Sequence, residues 1–223
     1  MTREGRRALL LTVGRRLFAE RGYHGTSVGD IAREACCSEA VLYQHFGGKL
    51  ELFTAVLEEQ ADRIRSRLDA AAQADPDDPF AGIARALGER IQEPDVPDSL
   101  KLRSLAVTMT DEPAVRRTLD GVRHGFLEVV GDAVRASQSN GRLRADVDPD
   151  HVVGLFAGLS FLGAFQCAVA GDDELRRLAP LAETLLRILA TDPAGLGTSL
   201  HGHLDRPSGG GPAGTDSPDR TTP

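Results

Sequence analysis

Residues 26 to 49 read TSVGDIAREACCSEAVLYQHFGGK and hold the side chains best equipped for chemistry. Thr26, Ser27 and Ser38 carry hydroxyls. Tyr43, Gln44, His45 and Lys49 add a phenol, a carboxamide, an imidazole and an ammonium group. These groups donate and accept hydrogen bonds. No Gly-rich phosphate loop, nucleophile motif or paired-carboxylate setting stands out elsewhere in the chain, so the chemistry on offer is recognition rather than bond breaking.

Two short helices must position these groups. Ser27-x-x-Asp30 is a capping-box pattern with a shorter acid, and it starts a helix whose apolar face is Val28, Ile31, Ala32 and Ala35. Ser38 then caps a second helix, Glu39 to Phe46. Its Val41 and Leu42 point inward, and Glu39, Ala40, Tyr43, Gln44 and His45 point mostly outward. A helix this short needs packing partners. Two short helices at a tight turn, the second with a polar outer face, suit a DNA major groove.

Charge is distributed in keeping with that reading. The 223 residues carry a net charge of −7, but residues 1–50 hold eight basic and five acidic side chains. The remainder holds eighteen basic and twenty-eight acidic. A basic head sits on an acidic body, which directs any DNA contact to the head. Aromatics make up 4% of the chain, and Trp is absent. A core of Leu, Ala and Val without alternating β-branched runs predicts an all-α fold. Three cysteines, Cys36, Cys37 and Cys167, without disulfide spacing point to a reducing cytoplasm. The N-terminal apolar patch has helical period and lacks the pattern of a signal peptide.

Helical periodicity predicts further elements at 4–21, 48–74, 79–92, 98–109, 112–139, 150–171 and 174–191. Gly22, Gly47-Gly48 and Asn140-Gly141 act as stops, Asp98 or Ser99 as a cap, and the Pro-rich stretches near 76–79 and 94–97 as breaks. Pro180 either kinks the last helix or begins its main segment. From about 194 the sequence turns to Gly, Pro, Ser, Thr and Asp, the composition of a disordered tail. The expected organisation is a helix-turn-helix domain at 1–50, a helical body at 51–193 and a tail at 194–223. His201 and His203 in that tail are read as incidental, and no metal site or cofactor is expected.

The segment LFAERGYHGTSVGDIAREACCSEAVLYQHFGGKLELF resembles the DNA-binding signature of the TetR/AcrR family of bacterial transcriptional regulators. The likeness covers about residues 8–60 and rests on Leu17-Phe18, Gly22-Tyr23, Thr26-Ser27, Asp30-Ile31-Ala32, Leu42-Tyr43, His45-Phe46, Lys49 and Leu52-Phe53. It implies a homodimer on a palindromic double-stranded DNA operator and a body that binds a small-molecule effector. Carried over by position, Thr26 and Ser27 sit at a helix N-terminus that favours a phosphate, and Tyr43, His45 and Lys49 contact the DNA backbone. Ser38, Glu39, Ala40 and Gln44 enter the groove. There Gln44 suits adenine, Glu39 cytosine N4 and Ala40 a thymine methyl.

Two positions depart from the family's pattern. Gly29 stands where many relatives carry a long, often basic side chain. Cys36-Cys37 stands where Gly and an apolar residue are usual, and a Cys in left-handed backbone costs roughly 1 kcal/mol. That opens an alternative, a thiol-redox-sensing repressor acting through Cys36 and Cys37. A further alternative is a helical membrane-associated binding protein without DNA activity, since residues 152–171 hold only Ser160 and Gln166 as polar side chains. Acidic flanks at Asp148, Asp150, Asp172, Asp173 and Glu174 argue against a membrane span. The resemblance implies instead a dimer interface, with Gly154 and Gly158 permitting close approach and Leu178, Leu181, Leu185 and Leu189 supplied by the last helix. An apolar effector would lie inside the body, with Leu105, Met109, Phe126, Phe161, Phe165 and Gln166 as candidate contacts.

Overall fold

The computed structural model describes residues 1–90, 93, 95–170 and 179–191, without the side chains of 160, 164, 166–170, 179, 180, 182 and 183. The described residues form helices and no strand, apart from one isolated antiparallel bridge between Leu143 and Ala190. The helices are α1 (Arg3–Arg21), α2 (Val28–Glu34), α3 (Glu39–Phe46), α4 (Lys49–Ala74), α5 (Pro79–Arg90), α6 (Val96–Val107), α7 (Pro113–Ser139), α8 (Pro149–Ala170) and α9 (Ala179–Leu189). The expected tail and residues 171–178, Leu178 among them, lie outside the described residues.

The chain closes around two apolar cores. The first takes Leu10, Leu17 and Phe18 from α1, Ile31 from α2, Leu42 and Phe46 from α3, and Leu52, Phe53, Val56 and Leu57 from α4. Leu102 and Ala106 of α6, Met109 of the turn after it and Val115 of α7 complete it. Phe18 and Phe53 meet edge to face at 5.1 Å between ring centres. Each is fully buried, a contribution of about 2–3 kcal/mol per side chain relative to exposure. The second core joins Leu68 of α4, Phe80 and Ile83 of α5, Val130 and Val134 of α7, Val152 and Phe156 of α8, and Leu186 and Leu189 of α9.

α5 crosses α4 closely because residue 82 is glycine: a Cβ there would sit 2.5 Å from the Ala71 carbonyl oxygen. The Ser137 hydroxyl locks the far end of α7 to this crossing, donating to Asp78 Oδ1 at 2.8 Å and accepting from the Phe80 N–H at 3.0 Å. α7 stops at Gly141, which adopts φ 72°. The Gly141 and Arg142 N–H groups return to the Gln138 and Ser137 carbonyls, a Schellman ending.

Some elements differ from expectation. α6 begins at Val96 rather than at 98, with Asp95 at its N-cap and Pro97 inside its first turn. Proline has no N–H to lose there, so it starts this helix instead of breaking the chain. Pro180 is the second residue of α9, in line with its beginning the main segment, and the expected residues 174–178 of that helix lie outside the described residues. Leu189, expected to face a partner, is buried in the chain's own second core.

Candidate nucleic-acid interface

α2 and α3 are held against α1 and α4 by contacts that cross the sequence. At α2 the capping box forms fully. Ser27 Oγ accepts from the Asp30 N–H at 3.0 Å, and the Asp30 carboxylate accepts from the Ser27 N–H and hydroxyl at 3.2 and 2.6 Å. The Ser27 hydroxyl bond, then the Ser27 backbone, hold the Asp30 carboxyl below its usual range. Thr26 is 1% exposed. Its hydroxyl donates to the Leu17 and Gly22 carbonyls at 3.1 and 2.9 Å, so the group expected beside a phosphate is turned into the fold.

Lys49 works similarly. Its Nζ donates to the Tyr23 and Thr26 carbonyls at 3.0 and 2.9 Å and lies 4.2 Å above the Tyr23 ring centre. The first residue of α4 thereby grips the turn that leads into α2. An ammonium has three protons, so one remains for an outside acceptor. Arg6 of α1, which nothing in the sequence singled out, donates from its Nη1 to the Ala35 carbonyl at 3.0 Å and ties α1 to the end of α2. The Arg7 guanidinium lies 5.1 Å from the Phe46 ring centre, and Arg16 pairs with Glu20 and Glu34. Apart from Arg16–Glu20, one turn apart on α1, these links join residues distant in sequence, so no local pattern announces them.

Between α2 and α3 the backbone turns left-handed at Cys36, with φ 50°. The Cys36 and Cys37 N–H groups return to the Arg33 and Ala32 carbonyls at 3.2 and 2.9 Å. This is the same ending that α7 makes at Gly141, here with a cysteine in the strained position. Cys36 is exposed, and Cys37 is half-buried against the first core.

α3 then divides cleanly. Leu42 and Phe46 are buried, and Val41 is half-buried. Ser38, Glu39, Ala40, Tyr43 and Gln44 are exposed, and His45 is half-buried at the end. Ser38 occupies the N-cap without making a side-chain cap bond. The Val41 N–H is already satisfied by the Ser38 carbonyl at 3.0 Å, which leaves the hydroxyl on the outer face. Glu39 leans over α2, since a Cβ added at Gly29 would lie 2.9 Å from its Oε1. The outer face thus presents a hydroxyl, a carboxylate, a methyl, a phenol and a carboxamide along one short helix, the set of groups that reads base edges and positions phosphates.

The residues expected to form an effector pocket are not gathered in one place. Leu105 and Met109 pack in or against the first core and Phe126 against the second. Phe161 and Phe165 are exposed, and the Gln166 side chain lies outside the described part. Gly154 and Gly158 are open on the outer face of α8, with nothing near the place a Cβ would take. They line an apolar groove of about 680 Å³ together with Leu155, Leu159, Leu162 and Leu185. Leu181 is exposed on α9. Among the described residues no group of His, Cys, Asp and Glu could hold a metal ion, and no helix is long and apolar enough to cross a membrane.

Residues 10–56 match the family model described as bacterial regulatory proteins, tetR family. The chain is 40% identical over 77 residues to the HTH-type transcriptional activator FasR of Mycolicibacterium smegmatis, a match covering 34% of this chain and 35% of FasR. It is 25% identical over 181 residues to the HTH-type transcriptional repressor AcnR of Corynebacterium efficiens, covering 80% of this chain and 90% of AcnR. The fold matches the crystal structure of a TetR-family transcriptional regulator from Pectobacterium atrosepticum, with a TM-score of 0.62 at 28% identity, over 86% of this chain and 97% of that one. Curated relatives of this kind are regulators of transcription and not enzymes. A capped helix pair with a buried and an exposed polar edge, on a helical body whose course relatives share, places the chain in the TetR/AcrR family of transcriptional regulators.

Proposed function

We propose that the chain is a homodimeric repressor that holds a palindromic operator with two copies of α3 and leaves it when a small effector enters the body. The observation that carries this reading is the division of α3 into a buried edge, Leu42 and Phe46, and an exposed edge, Ser38, Glu39, Ala40, Tyr43 and Gln44. Glu39, Ala40 and Gln44 choose the sequence; Tyr43, His45, the α2 N-terminus held by Thr26 and Ser27, and the free proton of Lys49 set the register on the DNA backbone.

Dimerisation is supported by where large apolar side chains remain exposed. Leu155, Phe161, Leu162 and Phe165 of α8 and Leu181 and Ile188 of α9 lie on the surface of the single chain. An apolar patch of this extent normally has a partner, and a second copy covers it symmetrically. Repression is favoured by AcnR, whose match runs through the body, whereas the FasR match is confined to about a third of the chain. In this reading the effector favours a body conformation in which α4 carries the two heads to a spacing that no longer fits the half-sites. A cytoplasmic location follows, since the operator is there.

The test is binding to a duplex selected from a random pool, read by fluorescence anisotropy with sedimentation of the free protein. Salt-sensitive binding by a dimer is expected, with Gly158→Arg sedimenting as a monomer. Failure to enrich any duplex at about 50 mM salt refutes the reading, because phosphate contacts are strongest there. The exposed, left-handed Cys36 favours one other reading, thiol control of the turn. Peroxide that releases DNA from the wild type but not from Cys36→Ser would carry it.

A further inference from the structure

Eight basic side chains lie in residues 1–50, and three of them gather at the start of α1. Arg3, Arg6 and Arg7 are spaced three and four apart, so they share one face of the helix. Arg3 and Arg7 are exposed, and Arg6 is half-buried. For the chain alone this placement is unfavourable twice over. Like charges at these spacings repel one another. They also sit at the positive end of the helix dipole, where cations are disfavoured.

The fold does not offset that charge. Elsewhere in the head Arg15 pairs with Asp95, Arg16 with Glu20 and Glu34, and Arg33 with Asp30. Among the described residues no carboxylate pairs with Arg3, Arg6 or Arg7, and Glu4, the acid of the first turn, pairs with none of them. Two tethers set where these arginines stand. Arg6 Nη1 donates to the Ala35 carbonyl at 3.0 Å, at the end of α2, just before the chain turns toward Ser38. The Arg7 guanidinium stands 5.1 Å from the ring centre of Phe46, the last residue of α3. The start of α1 is thereby bound to the segment that enters α3 and to the residue that ends it. Arg6 uses one N–H on Ala35, while Arg3 and Arg7 use none within the described residues, so the face keeps most of its donors for an outside acceptor.

We propose that Arg3, Arg6 and Arg7 hold phosphates of the DNA strand beside the groove that α3 enters, so that the first two turns of α1 form a second contact edge. A guanidinium fork matches phosphate oxygens, and each phosphate neutralised releases counterions. The phosphates also relieve the repulsion that the chain leaves standing among the three arginines. Duplex DNA is the occupant because both tethers fasten the arginines to the surroundings of the recognition helix, and Phe46 directly follows His45, which is set on the DNA backbone above. The inference rests on the DNA-binding reading and widens its footprint beyond α2, α3 and Lys49. Arg6 and Arg7 also join this edge mechanically to α3, so a phosphate held there steadies the helix that reads the bases.

The test uses the full chain, a duplex selected from a random pool and a scrambled duplex of equal length, with anisotropy read across about 50–200 mM salt. Arg3→Gln and Arg7→Gln should each make the slope of log K against log salt shallower by about 0.9 per head, or about 1.8 for a dimer on two half-sites. Both duplexes should lose affinity by the same factor, because phosphates carry no sequence. Arg7→Lys keeps the charge and should keep the slope. Arg117→Gln removes the same charge from an exposed position on α7 and should leave the slope alone. Without DNA, Arg3→Gln should unfold at the temperature of the wild type or above it, since it removes repulsion at the helix start. The proposal is overturned if either glutamine variant keeps the wild-type slope, if Arg117→Gln changes it as much, if only the selected duplex loses affinity, if Arg7→Lys behaves as Arg7→Gln does, or if Arg3→Gln lowers the Tm. Loss of binding to phosphatidylglycerol vesicles with an unchanged DNA slope would assign the face to a membrane and overturn it as well. A wild type that binds neither duplex sinks the DNA-binding reading together with this one, whereas a wild type that binds, with variants that match it, sinks this one alone.

Discussion

Thr26→Val separates two roles for a residue that sequence and structure place differently. The substitution keeps the shape and removes the hydroxyl. Thr26 is 1% exposed, and its one hydroxyl proton is shared between two carbonyls, Leu17 O at 3.1 Å and Gly22 O at 2.9 Å. The valine leaves the Gly22 carbonyl, which lies past the end of α1, without this donor. A lost neutral hydrogen bond with a buried acceptor left behind costs about 1–3 kcal/mol. For a folded chain of this size each kcal/mol lowers the Tm by about 2–4 °C. Thermal and urea unfolding followed by helical circular dichroism should show that loss. Operator binding measured well below the Tm should fall little, and its dependence on salt should keep its slope. If Thr26→Val is as stable as the wild type but binds DNA more weakly with a shallower salt slope, the hydroxyl is a phosphate contact and the interior role is wrong.

Other substitutions probe the same scaffold. Lys49→Met removes two charge-assisted bonds to the Tyr23 and Thr26 carbonyls and should cost about 1.5–3 kcal/mol by urea unfolding; a loss below about 0.5 kcal/mol would mean that the grip is incidental. Cys36→Gly relieves a left-handed residue worth roughly 1–2 kcal/mol, against roughly 0.4–1 kcal/mol of added chain freedom when unfolded, so a net gain of about 0.5–1 kcal/mol is expected in the urea midpoint. Because the Asp30 carboxyl is held below its usual range, the stability it adds is present above its unfolded pKa, about 4, and disappears as pH falls through the lower folded value. Acid titration of helicity should therefore show Asp30→Asn with a flatter profile below pH ~4 than the wild type, and identical profiles would exclude the capping box as the source.

What could be read in the sequence was what neighbours in the chain decide. Ser27-x-x-Asp30 is a local bargain between a cap and the third helical residue, and it forms as written. The left-handed demand at Cys36 follows from its place after α2, and the backbone meets it. Thr26 and Lys49 were legible as important but not in what they touch, because their partners on α1 and in the preceding turn are set by tertiary packing. The start of α6 was missed because Pro97 was weighed as a breaker, though proline fits a first turn. α8 resisted for another reason. Both of its faces are apolar, so no periodicity separates Val152, Val153 and Phe156, which are buried, from Leu155, Phe161 and Phe165, which are exposed. Gln60 carries no sequence signal at all, because a buried amide without a partner shows only once the chain is packed.

The first core has a consequence for anyone who would exchange heads between regulators. It runs from Leu10 through Leu57 and then takes Leu102, Ala106, Met109 and Val115 from further along the chain. A chimaera spliced near residue 50 keeps the reading helices and discards half the scaffold beneath them, so the new body must supply shapes that evolved elsewhere. Splices that retain α4 and match the α6 contact surface should fold, and those that follow the motif boundary should yield insoluble or silent proteins. The grammar of this molecule assigns DNA recognition to one segment, but the tolerance of that segment to transplantation is written in the other.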